Sequence, residues 1–264
     1  MKIAVLVTGQ LRDYKINVLN HLNHLVRPNN ADVFVYACTK NTLHSTGNSL
    51  EQRYYTTNEY SEQEIKDSMS EIYGKNLRKV VVESNENLPD GNFGTLGYFR
   101  TRMQNQIDNI GKGFELAKEY SSNKGFEYDV VVRCRPDNAM FPLPLGLSAL
   151  EYTNDKIYST RFTPSGHRDL CFFAIANPYT FEKYCSFKYL ENEDATRTDG
   201  DFLCTEFAWE EYLKSIGVAV KYIPDVCKPF TGFDKTQPVT EFPFRDKNEF
   251  LIDKDGNLVS QVEP

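Results

Sequence analysis

The stretch Tyr128-Asp129-Val130-Val131-Val132-Arg133-Cys134-Arg135-Pro136-Asp137-Asn138 joins a run of β-branched residues directly to charge. Consecutive valines suit a strand covered on both faces. Pro136 has no N–H to give to a ladder, so the strand stops at or near Arg135. Two arginines, a carboxylate and an amide are thereby delivered to the end of a central strand. In open α/β sheets that end is where ligands bind. Guanidinium groups grip phosphate, and a carboxylate beside phosphate can carry a divalent cation. The same residues also fit a plain strand-end ion pair, Arg133 or Arg135 with a nearby acid. A second set, Thr8-Gly9-Gln10-Leu11-Arg12, follows the first apolar run. Gly9 permits a tight turn and lets backbone amides approach an anion, and the helix beyond presents free N–H groups. A simple strand-to-helix turn is the alternative there.

The elements that must position these residues read as alternating strands and helices. Residues 2–7 form a strand, Lys15 to Val26 carry apolar residues at helical spacing, and 32–36 form the next strand, which opens a parallel sheet. Residues 39–60 are polar and read as a surface loop. Ser61 with Glu64 has the capping-box pattern at the start of a helix. Val80 to Glu83 is a third strand, and Phe99 to Tyr120 is the longest helical pattern, in which Gly111 and Gly113 mark close packing against the sheet. Beyond Pro136 come strands over 156–158 and 170–175, a helix over 178–189, a helix over 202–216 closed by Gly217, and a strand over 218–223. Residues 228–264 are rich in proline and charge and read as an irregular tail. With neither repeat nor linker, the reading is one domain, 1–264, in two halves: about 1–138 and 139–227, followed by the tail.

The bulk numbers narrow the partners. A chain of 264 residues with 40% hydrophobic and 25% charged residues is ordinary for a globular protein. Its net charge of −7, with no block of Lys or Arg, argues against a nucleic-acid or anionic-membrane surface. The apolar start, Met1 to Val7, is too short for a secretory segment and reads as the first strand. No apolar run reaches membrane-spanning length. Cys38, Cys134, Cys171, Cys185, Cys204 and Cys227 are scattered and read as reduced, buried residues of a cytoplasmic protein. His21 and His24 share a helix face, read as solvated. Trp209 reads as core.

The helix Met103-Gln104-Asn105-Gln106 to Glu115-Leu116-Ala117-Lys118-Glu119-Tyr120, then Phe126-Glu127-Tyr128-Asp129 and the strand ending Arg133-x-Arg135-Pro136-Asp137, resembles a group of GT-A-type glycosyltransferases. They occur in bacterial surface-polysaccharide clusters and in large DNA viruses, including algal viruses of the chlorovirus kind. Gly9-Gln10-Leu11-Arg12, Asp169 before a buried strand, and Glu206 before Gly217-Val218 fit the same group, over roughly residues 1–225. The Asp-x-Asp usual in such enzymes is absent from the strand end, where Arg135-Pro136-Asp137 stands instead.

The resemblance implies an α/β fold of GT-A type, with a mixed, mostly parallel central sheet flanked by helices and a Rossmann-like N-terminal half. It implies a nucleoside-diphosphate sugar donor, UDP-sugar favoured and UDP-xylose among the options, and a hydroxyl of a glycan as acceptor. Gly9, Gln10, Arg12, Arg102, Arg133 and Arg135 become donor-binding candidates. Asp137, helped by Asn138, becomes the candidate ligand for manganese or magnesium, with Arg102 and Arg133 as cationic alternatives. A general base is sought among Asp201, Asp169 and Glu206, in that order. Asp201 equally fits an N-cap. A non-catalytic carbohydrate-binding or virion-associated module is the competing reading. Phosphoryl transfer and methyl transfer lack their glycine-rich signatures.

Overall fold

The first strand, β1 (Ile3–Gly9), is an interior strand buried along nearly its whole length. The computed structural model describes residues 1–9, 11, 14–44, 55–83, 96–140, 146–161, 170, 173–188, 205–224, 227–229, 244–245, 251–252 and 258–259. After β1 come α1 (Tyr14–His21), a π-helical turn (Leu22–Val26) and a short α2 (Arg27–Asn29). The wide turn has a local cause. Pro28 lacks the N–H that the His24 carbonyl would otherwise receive, and the Arg27 N–H reaches back to the Leu22 carbonyl. Asn30, left-handed at φ 47°, ends the helix.

Next are β2 (Asp32–Cys38), the hairpin β3 (Lys40–His44) and β4 (Tyr55–Glu59), α3 (Glu62–Tyr73), β5 (Leu77–Glu83) and α4 (Leu96–Lys124). The hairpin corrects the expectation of a loop over 39–60: β3 and β4 pair antiparallel from Lys40↔Glu59 to His44↔Tyr55. Its strands are mostly polar, with Leu43 the one aliphatic residue, so no apolar alternation announces them. At α3 the capping box is in place. Ser61 Oγ accepts from the Glu64 N–H, and the Ser61 N–H donates to Glu64.

The rest of the chain is β6 (Val130–Cys134), β7 (Asn138–Met140), β8 (Lys156–Arg161), β9 (Phe173–Ala176), α5 (Pro178–Cys185), α6 (Thr205–Ser215), β10 (Ala219–Pro224) and β11 (Cys227–Pro229). The strands β12 (Phe244–Arg245), β13 (Leu251–Ile252) and β14 (Leu258–Val259) form a small antiparallel sheet within the stretch read as an irregular tail.

Seven strands form one sheet in the order β10-β8-β9-β6-β1-β2-β5, and β9 runs against the other six. This is the expected α/β architecture, a mixed and mostly parallel sheet flanked by helices. Each face carries its own apolar layer. Val5, Val7, Val33, Val35, Val130 and Val132 pack with α1, the π-helical turn and α3. Ala4, Leu6, Phe34 and Val131 pack with α4, α5 and α6 on the other face. Valine alternation in β6 therefore feeds both layers, as expected of a strand covered on both sides.

Candidate functional site

From β1 the chain runs outward to β2 and β5, then crosses back to place β6 on the other side of β1. The carboxyl ends of β1 and β6 thus flank a topological switch point, the position where open α/β sheets leave a crevice for ligands. Parallel pairing of Leu6 with Arg133 and Val7 with Cys134 sets the register. It brings the turn at Gly9 beside Arg135 and Pro136. Gly9 has φ +131°, and a Cβ built there would lie 3.6 Å from Pro136 Cδ and 3.8 Å from Arg135 Cγ. Space exists for a methyl group, so the backbone conformation is what asks for glycine.

Arg135 and Asp137 are joined around Pro136. Arg135 Nε donates to Asp137 Oδ1 at 2.7 Å and Nη2 donates to Oδ2 at 2.5 Å. The side chains are only 13% and 4% exposed. A two-point guanidinium–carboxylate pair at low exposure is strong and directional. It is the strand-end ion pair that the sequence also allowed. Arg133 is enclosed, at 0% exposed. Its Nε donates to Thr8 Oγ1 at 3.3 Å and its Nη2 to the Thr8 carbonyl at 3.4 Å.

Thr8 is the residue that sequence reasoning missed. It holds Arg133 on one side and meets α4 on the other, where a Cβ at Gly113 would lie 2.6 Å from Thr8 Cγ2. Gly113 lets α4 settle on β1, which is the close packing its position suggested. α4 runs antiparallel to the sheet. Asn109 reaches Cys38 and Lys112 reaches Glu83 at the carboxyl ends of β2 and β5, while Lys79 meets Glu119 lower down. The first turns of α4, with Arg102, therefore extend beyond the strand ends by roughly 16 Å from Gly113.

A second unpredicted group borders this edge. Lys112 Nζ donates to Glu83 at 2.8 Å and lies 5.2 Å from the Tyr36 ring centre. Burial, then the nearby Glu83 carboxylate, pushes the Tyr36 phenol up to about 12. The Lys112 ammonium, then Tyr36, holds Glu83 below the usual carboxylate range. Sequence spacing carries no sign of this trio, because its members come from three separate elements.

The other candidates fall as follows. Asn138 opens β7, whose backbone pairs with β11 at Pro229. Glu206 lies in the first turn of α6. Gln10, Arg12, Asp169 and Asp201 lie outside the described residues. The site thus brings together Gly9, Arg135 and Asp137, with Arg133 enclosed beneath them. The reading of His21 and His24 as solvated is corrected: His21 is 0% exposed with Nδ1 3.7 Å from Cys134 Sγ, and His24 Nε2 is buried. Desolvation lowers the pKa of His24 and raises that of the Cys134 thiol to about 12. Trp209 is core as expected, stacked on Tyr184 with ring centres 4.3 Å apart.

A magnesium or manganese ion needs several oxygen ligands. Asp137 gives both carboxylate oxygens to Arg135, and no cluster of three His, Cys, Asp or Glu stands together among the described residues. These donors alone do not fit a divalent cation. Among the described residues no helix is long and apolar enough to cross a membrane.

No protein family matches the chain by sequence, and no curated protein does. Solved structures give partial matches. The galactosyltransferase LgtC, in complex with donor and acceptor sugar analogues, is 9% identical over 83% of this chain and 73% of that one, with a TM-score of 0.38. The bifunctional glycosyltransferase WbbM is 8% identical over 84% of this chain and 38% of its own, with a TM-score of 0.42. The glycosyltransferase GlyE of Streptococcus pneumoniae is 10% identical over 84% and 45%, with a TM-score of 0.40.

Proposed function

We propose that this chain is a glycosyltransferase of GT-A type that moves a sugar from a nucleoside-diphosphate donor, UDP-linked and with xylose among the options, to a hydroxyl of a glycan. The observation that carries the reading is the convergence of Gly9 and the Arg135–Asp137 pair at the β1/β6 switch point. The resemblance of the sequence motifs to bacterial and viral glycosyltransferases supports it independently. Residues 1–138 would bind the donor and 139–227 would face the acceptor. The free cysteines Cys38, Cys134 and Cys185 suit a reducing cytoplasm.

In the transfer, an acceptor hydroxyl attacks the anomeric carbon and the bond from that carbon to the phosphate oxygen breaks. The electron pair leaves with the diphosphate, and the hydroxyl proton passes to a carboxylate. Gly9, Gln10 and Arg12 are assigned to the pyrophosphate. Arg135 and Arg102 supply fixed positive charge where the leaving group develops its negative charge. Asp137 aims the Arg135 guanidinium, and Arg133 braces β1 through Thr8. Asp201, then Asp169 and Glu206, are the bases to test.

Calorimetry with UDP, GDP, UDP-glucose and UDP-xylose, with and without manganese, tests the reading. Binding of one diphosphate is expected, lost in Arg135→Ala. Binding that appears only with manganese would return Asp137 and Asn138 to a metal role. No binding of any nucleotide would overturn the transferase and favour a carbohydrate-binding module.

A further inference from the structure

A cleft of about 430 Å³ opens between the carboxyl-terminal half of α4, the segment 126–128 and the start of α5. Val131, near the beginning of β6, forms part of its floor. The cleft therefore sits at the end of the sheet opposite to Arg135, which is roughly 13 Å farther along the strand. It lies apart from the switch point, and its volume falls in the range of small-ligand sites.

Its walls are aromatic and its polar groups are mixed. Phe114, Phe126, Tyr128 and Tyr179 line it. Tyr179 is 55% exposed, and with Met1 it is an exposed large apolar side chain among the described residues. Ser121, Ser122 and Glu127 add hydroxyls and a carboxylate. The lysine on its wall, Lys118, is already paired. Lys118 Nζ pairs with Glu115 at 2.6 Å and with Glu182 at 3.0 Å, leaving no concentrated positive field for an anion. A cationic ligand is disfavoured for a different reason. The protein's own ammonium groups already sit by the rings: Lys2 is 3.9 Å from the centre of Phe126, Lys118 is 5.1 Å from Phe114, and Lys183 is 4.6 Å from Tyr179. What remains complementary is a neutral molecule with apolar faces and many hydroxyls. A sugar ring has that character: Phe114 and Tyr128 are buried, at 3% and 6% exposed, so its C–H face would lie on the open part of the Tyr179 ring, with its hydroxyls toward Ser122 and Glu127.

We propose that this cleft is a second carbohydrate site, binding neutral sugar units of a glycan. Its use in tethering a growing acceptor rests on the transferase reading, whereas the binding itself does not. Tethering there would raise the local concentration of chain ends at the switch-point crevice without new contacts at the reacting atoms.

The test is saturation-transfer NMR on the whole chain with cellobiose, maltose and xylobiose, and with tetramethylammonium chloride as the cationic control. At least one disaccharide should bind saturably. Tyr179→Ala should weaken it about tenfold, the worth of one aromatic contact. Ser122→Arg, on an exposed helical position, should block it by filling the cleft, while Arg135→Ala should leave it intact. The proposal is overturned if no disaccharide binds, if binding ignores both cleft variants, if it follows Arg135 instead, or if tetramethylammonium is the ligand that binds. UDP calorimetry on Tyr179→Ala keeps the two readings apart, since a failed cleft leaves donor binding unchanged and a failed donor site leaves disaccharide binding unchanged.

Discussion

Asp137 can be asked to do two things with one carboxylate, and its burial decides what a substitution measures. Removing it leaves the Arg135 guanidinium, 13% exposed, without its two-point acceptor. Breaking a buried pair from one side costs about 3–5 kcal/mol, much of it the uncompensated charge. Loss of turnover in Asp137→Ala would therefore not by itself assign a chemical role. The double variant Arg135→Ala/Asp137→Ala separates the possibilities. In urea unfolding it should be less destabilised than the sum of the single changes by about 0.5–3 kcal/mol, the coupling of residues in direct contact. Nucleotide binding should stay lost in the double variant, because the guanidinium proposed to meet phosphate is gone. Additive unfolding energies would mean that the pair is not coupled. Restored nucleotide binding would remove Arg135 from the donor site.

Among the elements, two glycines of α4 carry opposite expectations: Gly113 meets β1, whereas Gly111, expected against the sheet, faces α5 instead. Gly111 faces Cys185, where an added Cβ would lie 3.9 Å from Cys185 Cβ, ordinary contact. Gly111→Ala should be neutral or stabilising by up to about 1 kcal/mol, since alanine is the better helix former. Gly113→Ala gains the same propensity but places its Cβ 2.6 Å from Thr8 Cγ2. Thr8 is 0% exposed and its hydroxyl accepts from Arg133, so it has nowhere to turn. A net loss of about 1–3 kcal/mol is expected from overpacking. Thr8→Ser should recover part of it by deleting the offending methyl. Thermal unfolding of the three variants checks this, and a stable Gly113→Ala would mean that α4 can shift off the sheet. The close approach was legible because glycines inside a strong helical pattern need a reason. The strand end was legible because valines give way to Pro136, and the α3 start because Ser61 and Glu64 have cap spacing. The hairpin β3/β4 was not, since its polar strands lack alternation. The burial of His21 was not legible either, because its partner, Cys134 at the end of β6, lies 113 residues away in the chain. The Arg135–Asp137 pair was legible only as one of two options, because an acid beside an arginine reads alike as an ion pair or as a metal ligand.

Across the whole molecule, the proposed division into a donor half and an acceptor half falls in the middle of the sheet. β6 closes the first half in sequence, yet in space it is flanked by β1 on one side and β9 on the other. Its pairing with β9 runs from Val131↔Ala176 to Cys134↔Phe173. Every residue of β6 is buried. Cutting the chain after residue 138 would strip β9, β8 and β10 from the sheet and turn β6 into an exposed, valine-rich edge. It would also remove α5 and α6, which cover the layer containing Leu6, Phe34 and Val131. Long apolar edges pair with one another, so the fragment 1–138 should aggregate or remain unfolded, while the full chain should unfold in one cooperative transition. Size-exclusion chromatography and circular dichroism of the fragment, beside calorimetric unfolding of the full chain, decide the point. A monomeric, folded 1–138 that binds a nucleotide diphosphate would make the first half a domain in its own right. The crevice at the β1/β6 switch point would then be complete without the strands that follow it, and the acceptor side would be an addition to a finished nucleotide-binding unit rather than half of a shared sheet.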